Sequence, residues 1–183
     1  MGRVRTAGFV WDVLAVARPR MSRQAVAELA VLGEFRASRY PLLLLGRRRP
    51  GQSLLDALAS AEGEGSIGRA TARVIPLDCA TAFRGDDVTE ALCDLLADRG
   101  SHIAGRSFFV RAHLRGLKGR LEHQAVERAL GGFLYDRGAE AGGTPTVCFD
   151  DPDLSVVVEV VGNRAGCGFL DRRARALRSI RVR

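Results

Sequence analysis

Apolar and polar positions divide the chain into short alternating elements. Phe9–Ala17 is mostly apolar, and Leu42–Leu45 is a continuous apolar run between Pro41 and Gly46. Both predict strands, the second a buried one, and Arg73–Leu77 predicts another. Helical signals lie between them. Ser22 caps a helix to about Leu32, with Val26, Leu29 and Ala30 on its apolar side and Gly33 as its stop. Ser53 caps a second helix that ends near Ser60. Strand, helix, strand, helix, strand with short connections predicts a small α/β layer.

Thr81–Gly85 reads as a boundary. Beyond it Val88, Ala91, Leu92, Leu95 and Leu96 recur at helical spacing, with Asp86 or Asp87 as cap and Gly100 as stop. Ser107–Arg115 then alternates as a strand with one buried face. Phe108, Val110, Ala112 and Leu114 point one way; Phe109, Arg111, His113 and Arg115 point the other. Gly116–Arg120 follows as a loop, and a helix runs from about Glu122 to Arg137 with Ala125, Val126, Ala129, Leu130, Phe133 and Leu134 on its apolar stripe. Gly131-Gly132 inside that helix costs about 1 kcal/mol per glycine against alanine. Such a cost is expected where a backbone packs closely on a neighbour. Gly138 is the expected stop. Thr146–Phe149 and Leu154–Val161 predict strands around an acidic turn, Asp150–Asp153. The valines of the second predict burial on both faces, and Glu159 among them is expected to pair with an arginine such as Arg111. Gly162–Gly166 reads as a turn, Cys167–Leu170 as a last core strand, and Asp171–Arg183 as a basic tail: a final strand, or an arm that orders on an anion.

Composition sharpens the chemistry. The 183 residues are 46% hydrophobic and carry a net charge of +7. Lys118 is the sole lysine, so the other 27 of the 28 cations are arginine. Arginine suits phosphate recognition and planar stacking better than lysine does, although genome-wide arginine bias explains the count equally well. An excess of cations favours an anionic partner. On the polar face of the central strand, Phe109, Arg111, His113 and Arg115 align an aromatic ring with three cationic or imidazole groups. Lys118 and Arg120 extend them into the loop. Flat groups for stacking and cations for phosphates form a nucleic-acid platform. An edge strand with a solvated charged face is the plainer alternative.

Other chemistries leave weaker marks. Cys79, Cys93, Cys148 and Cys167 have no Cys-x-x-Cys spacing, and His102, His113 and His123 lack metal-ligand spacing. The cysteines read as free thiols of a reducing, cytoplasmic protein. No metal site and no cofactor is expected, and no apolar stretch is long enough to span a bilayer. There is no Walker phosphate loop and no Gly-x-Ser-x-Gly elbow. Ser107, His113 and Asp151 could form a triad by residue type alone.

Four stretches resemble a THUMP domain: Ser107–Gly116 its arginine-rich strand, Ala125–Gly132 its helix with a glycine pair, Val147–Asp153 its strand ending in Asp-Pro-Asp, and Val156–Gly166 its valine-rich strand and turn. Leu114 and Leu117 stand where that pattern is more polar. More loosely, Trp11–Ala15, Leu32–Phe35 and Arg73–Asp78 resemble the ferredoxin-like domain that precedes THUMP in RNA-modification proteins. The resemblance implies an α/β (α+β) chain, a ferredoxin-like domain over residues 1–84 and a THUMP-like domain over 85–183. It also implies a non-catalytic adaptor that binds the acceptor and 3′ end of tRNA. The adaptor would present tRNA to a separate modification enzyme, such as a cytidine acetyltransferase. Carried over residue by residue, Arg111, His113, Arg115, Lys118, Arg120 and Phe109 are the expected RNA contacts. The alternatives are an RNA-modifying enzyme of another type, and a subunit whose basic surface meets an acidic protein.

Overall fold

The computed structural model describes residues 9–85, 87–117, 119 and 121–182. The chain forms two compact units. The first runs to Pro76 and includes Arg173–Arg181; the second covers Leu77–Arg172. This differs from the expected division at residues 84 and 85, and most of the basic tail belongs to the first unit.

The first unit is built from β1 (Val13–Ala17), α1 (Ser22–Leu29), β2 (Gly33–Ala37), β3 (Leu43–Arg48), α2 (Leu54–Gly63) and β4 (Thr71–Pro76). All strand pairs are antiparallel, in the order β2-β3-β1-β4. This βαββαβ arrangement is ferredoxin-like. β1 sits centrally because Val13, Leu14 and Ala15 are wholly buried. β2 escapes the sequence pattern: of its five residues only Phe35 is buried. Ala25 and Leu29, four residues apart, form the buried side of α1, with Val26 half-exposed and Ala30 outside. Ser22 is the first helical residue, not its cap. On α2, Ser53 does cap: its hydroxyl accepts from the Asp56 N–H at 3.3 Å.

The returning segment docks on a buried carboxylate. Glu62, in the last turn of α2, is 8% exposed. It accepts the peptide N–H groups of Ser179 (2.7 Å) and Arg178 (3.0 Å). The Ser179 carbonyl then accepts the Val74 N–H at 2.7 Å, covering part of the outer edge of β4. An edge strand left open is an aggregation hazard, so this closure has structural value. The tail here is neither a strand nor an arm awaiting an anion.

The second unit contains β5 (Cys79–Ala82), α3 (Val88–Leu96), the short α4 (Gly100–Ile103), β6 (Ser107–Arg115), α5 (His123–Glu140), β7 (Thr146–Val147), β8 (Leu154–Val161) and β9 (Arg164–Asp171), which runs into α6 (Arg172–Arg175). The sheet order is β5-β9-β8-β6-β7. β6 is parallel to both neighbours, joined to β7 by the α5 crossover. β8 and β9 form a hairpin around Gly162-Asn163, and Gly162 takes φ 66° as the first central residue. That handedness suits the twist of the flanking strands. β8 is buried along its whole length, as its valines predict. Leu114 and Leu117, apolar where the resemblance expects polarity, belong to the core beneath α3 and α5.

On α5 the buried stripe is Val126, Leu130, Leu134 and Gly138; Ala125 and Ala129 are exposed. Burying the three branched side chains is worth about 2 kcal/mol each. That outweighs the roughly 2 kcal/mol that two mid-helix glycines cost. Gly138 lies inside the helix and is not its stop; Pro145 and Ile103 occupy the space a side chain there would need.

Glu62→Ala should destabilise the first unit by about 2 kcal/mol by leaving the Ser179 and Arg178 amides without their acceptor, measured by urea unfolding. Burial pushes the Glu62 carboxyl up, but the Ser179 and Arg178 hydrogen bonds and the Arg178 charge together outweigh it, so its pKa is lowered. A lowered carboxylate pKa stabilises the fold above the unfolded-state value of about 4.3. The wild-type advantage over Glu62→Ala should therefore shrink as pH falls below that value.

Candidate nucleic-acid interface

β6 organises the candidate site. On one side it pairs with β8 along its full length, but β7 covers only Ser107 and Phe108 on the other. The Phe108 carbonyl still accepts the Cys148 N–H at 3.0 Å. Further along, α5 supplies side chains in place of a strand. Glu127 Oε1 accepts the Ala112 N–H at 2.9 Å, and His123 Nδ1 lies 2.8 Å from the Ala112 carbonyl. Backbone polar groups need partners, and strand alternation places the peptide of Val110 between these two closures.

A groove of about 480 Å³ opens there. Its floor is Phe108–Arg111, one wall is the α5 face carrying Gln124, Arg128, Gly131 and Gly132, and Val147 and Phe149 close the far side. Phe149 is 70% exposed, which is uncommon for so large an apolar ring. Its centroid lies 6.0 Å from that of Phe109, with the planes 35° apart. The Arg111 guanidinium lies 5.7 Å from the Phe109 ring centre, within cation–π range. A Cβ added at Gly131 or Gly132 would meet nothing within 4 Å. The expected close packing at this pair is therefore absent, and the space over the two glycines belongs to the groove.

The expected site residues divide into two groups. Phe109 and Arg111 line the groove. Arg111 also reaches Glu127 at 3.4 Å. Arg115 and His113 turn instead to Glu159, which is 1% exposed. Arg115 makes a salt bridge to Glu159 Oε2, and His113 Nδ1 lies 3.7 Å from Oε1. Strand register explains this choice: His113 stands directly opposite Glu159. The expected Glu159–Arg111 pairing is thus replaced by Arg115 and His113. Lys118 and Arg120 lie outside the described residues. Gln124, Arg128, Gly131 and Phe149 are groove residues that the strand pattern does not reveal. The one usable signal was the glycine pair in a helix.

The acidic segment is a structural turn. Asp153 Oδ2 accepts the Ser107 N–H (2.9 Å) and hydroxyl (2.7 Å), and the Ser107 hydroxyl accepts the Asp153 N–H in return. The Ser107 peptide and hydroxyl donors, with the Arg172 charge, hold the Asp153 carboxyl below its usual range. Arg172 bridges Asp153 (2.7 Å) and Asp151 (3.4 Å). Ser107 and His113 are roughly 20 Å apart along one strand, so the Ser107–His113–Asp151 triad does not assemble. Among the described residues, no three His, Cys, Asp or Glu side chains stand where they could hold a metal ion. No helix among them is long and apolar enough to cross a membrane.

Together the two units form the expected α+β, THUMP-like fold. No protein-family model matches the chain, and no curated protein matches it. Solved structures do. The chain is similar to TrmN from Thermus thermophilus, at 22% identity and a TM-score of 0.57, over 86% of this chain and 44% of that one. A 4-thiouridine synthetase, solved as an RNA complex with bound ATP, matches at 12% identity and TM-score 0.52, over 86% and 40%. A predicted N6-adenine-specific DNA methylase from Listeria monocytogenes matches at 13% and 0.56, over 87% and 40%. The chain thus spans less than half the length of each. Its likeness to chains named as a synthetase and a methylase corrects the expectation of a non-enzyme: this fold occurs in enzymes.

Glu159→Ala should cost about 2 kcal/mol, because it removes the buried acceptor that half-buried Arg115 and His113 share. Urea denaturation followed by tryptophan-independent circular dichroism measures it. A cost below 1 kcal/mol would show that the cluster is not structural.

Proposed function

We propose that this chain acts in an RNA-modifying enzyme, with tRNA as substrate and the groove between β6 and α5 as a seat for an unstacked RNA base. The exposed Phe149 ring beside Phe109 carries this reading. Single-stranded bases stack on aromatic side chains and on arginine planes, and Arg111 adds such a plane at the same place. Arg128, exposed on the α5 wall, supplies a cation at the rim. The two glycines let a sugar or base edge come close to the helix backbone. The 3′ end of tRNA is single-stranded, which suits a groove of this size. The likeness to a synthetase solved with RNA supports the substrate class.

His113 and Arg115 have a different part in this reading. They hold the sheet through Glu159, and Arg111 and Arg128 meet the phosphates. Phosphate contacts make affinity fall with salt, whereas stacking is far less salt-dependent.

The experiment is a titration of the purified chain with intact tRNA and with tRNA lacking its single-stranded 3′ end, at two salt concentrations. Intact tRNA should bind more tightly. Phe149→Ala should weaken that binding roughly tenfold, at about 1–3 kcal/mol per stacked base, and should abolish the preference for the intact end. Gly131→Ala with Gly132→Ala separates binding from folding. These changes should raise thermal stability, by about 1 kcal/mol each from helix propensity, while lowering tRNA affinity. Unchanged affinity in this folded variant would remove the groove from the RNA interface.

A further inference from the structure

Cys79, Cys93, Cys148 and Cys167 are far apart in sequence, but the second unit gathers three of them. β5 pairs antiparallel with β9 in a register that sets Cys79 directly opposite Cys167. Opposed residues on antiparallel strands have Cα atoms about 4.5–5.5 Å apart. A disulfide spans about 4.4–6.8 Å. The Cys79 Sγ also lies 3.9 Å from the Cys167 carbonyl oxygen, so the thiol is turned along the strand pair. β5 is the terminal strand of its sheet. Cys79 is accordingly half-exposed, whereas Cys167 is fully buried. Cys93, on α3, is half-buried and packs on the same core.

The surroundings differentiate the two thiols. A hydrogen bond from Cys167 lowers the Cys79 pKa, and the Arg99 charge assists against burial and Asp78. The same hydrogen bond raises the Cys167 thiol well above its usual value, with burial, Cys79, Asp78 and Cys93 adding to it. Burial and Asp94 raise Cys93. The half-exposed member of the pair is thus the more readily ionised thiol and the buried member the less, which suits the first as the attacking group.

We propose that Cys79 and Cys167 form a dithiol site that reacts with small-molecule disulfides and closes a cross-strand disulfide between β5 and β9. In the first step the Cys79 thiolate attacks one sulfur of the disulfide. A Cys79 mixed disulfide forms and one small thiolate leaves. In the second step Cys167 loses its proton to that thiolate or to water and attacks the Cys79 sulfur. The protein disulfide forms and the second small thiolate leaves. The two cysteines are oxidised by two electrons, and the small disulfide is reduced to two thiols.

Oxidised glutathione is the probe, applied to the full chain in its folded state. After free thiols are blocked with N-ethylmaleimide, peptide mapping by mass spectrometry should show Cys79 linked to Cys167, with Cys93 and Cys148 alkylated. Cys167→Ala, checked for folding by circular dichroism, should stop at the Cys79–glutathione mixed disulfide. Alkylation of wild type at neutral pH should modify Cys79 faster than Cys93, because its neighbours favour the thiolate where those of Cys93 oppose it. A link involving Cys93, a persistent mixed disulfide in wild type, or no Cys79 reaction at all would each overturn the proposal. The wild-type map decides the matter even if the alanine variant fails to fold.

Discussion

The second unit depends on how an incompletely paired strand satisfies its backbone. β7 is too short to accompany β6 beyond Phe108, so the remaining edge must find hydrogen bonds elsewhere. Glu127 and His123 provide them at Ala112, from the first turns of α5. Two side-chain contacts thereby fix where the helix starts relative to the strand, while Val126, Leu130 and Leu134 fix its depth in the core. Between the end of β7 and the Glu127 closure no strand among the described residues pairs with the edge, and the groove opens there. A longer β7 would have sealed it.

The same geometry redistributes charge. A row of Arg111, His113 and Arg115 looks in isolation like a cationic stripe. Coulomb attraction in a region of low dielectric is strong, and Glu159 at 1% exposure cannot be left without a counter-charge. The strand's cations therefore serve two masters. The end of β6 near Glu159 is held inward, and the end near Phe109 stays with the groove. Asp153 acts likewise at the start of the strand, where it locks Ser107 against the β8 entry. The polar face of β6 is therefore less basic than the sequence suggests, and the Phe109 and Phe149 rings dominate the groove end of it.

In the first unit a buried carboxylate again organises distant sequence. Glu62 gathers Arg178 and Ser179 from the far end of the chain. The segment supplies polar closure where β4 would otherwise present an edge. Its arginines are partly consumed by this role: Arg173 pairs with Asp56 at 2.6 Å, and Arg178 reaches the Glu62 backbone carbonyl at 2.8 Å.

Local pattern was enough for the strongly periodic elements. Ser107–Arg115 and Leu154–Val161 are strands at the expected bounds, since alternation and unbroken valine runs are properties of neighbouring residues. The Ser53 cap and the buried side of α5 were legible for the same reason, although Ala125 and Ala129 face water. β2 and β5 were not, because short edge strands bury too few residues to show a period. The partners of Arg111, Arg115 and Glu159 depend on strand register and on which helix crosses the edge, and neither is a local quantity. Phe149 reads in sequence as a strand residue. Only the end of β7 at Val147 leaves its ring exposed beside Phe109. The sequence thus determined the elements and the chemical types available. Tertiary pairing decided which cations are neutralised, which glycines face open space and which thiols meet, because those outcomes depend on contacts between residues far apart in the chain.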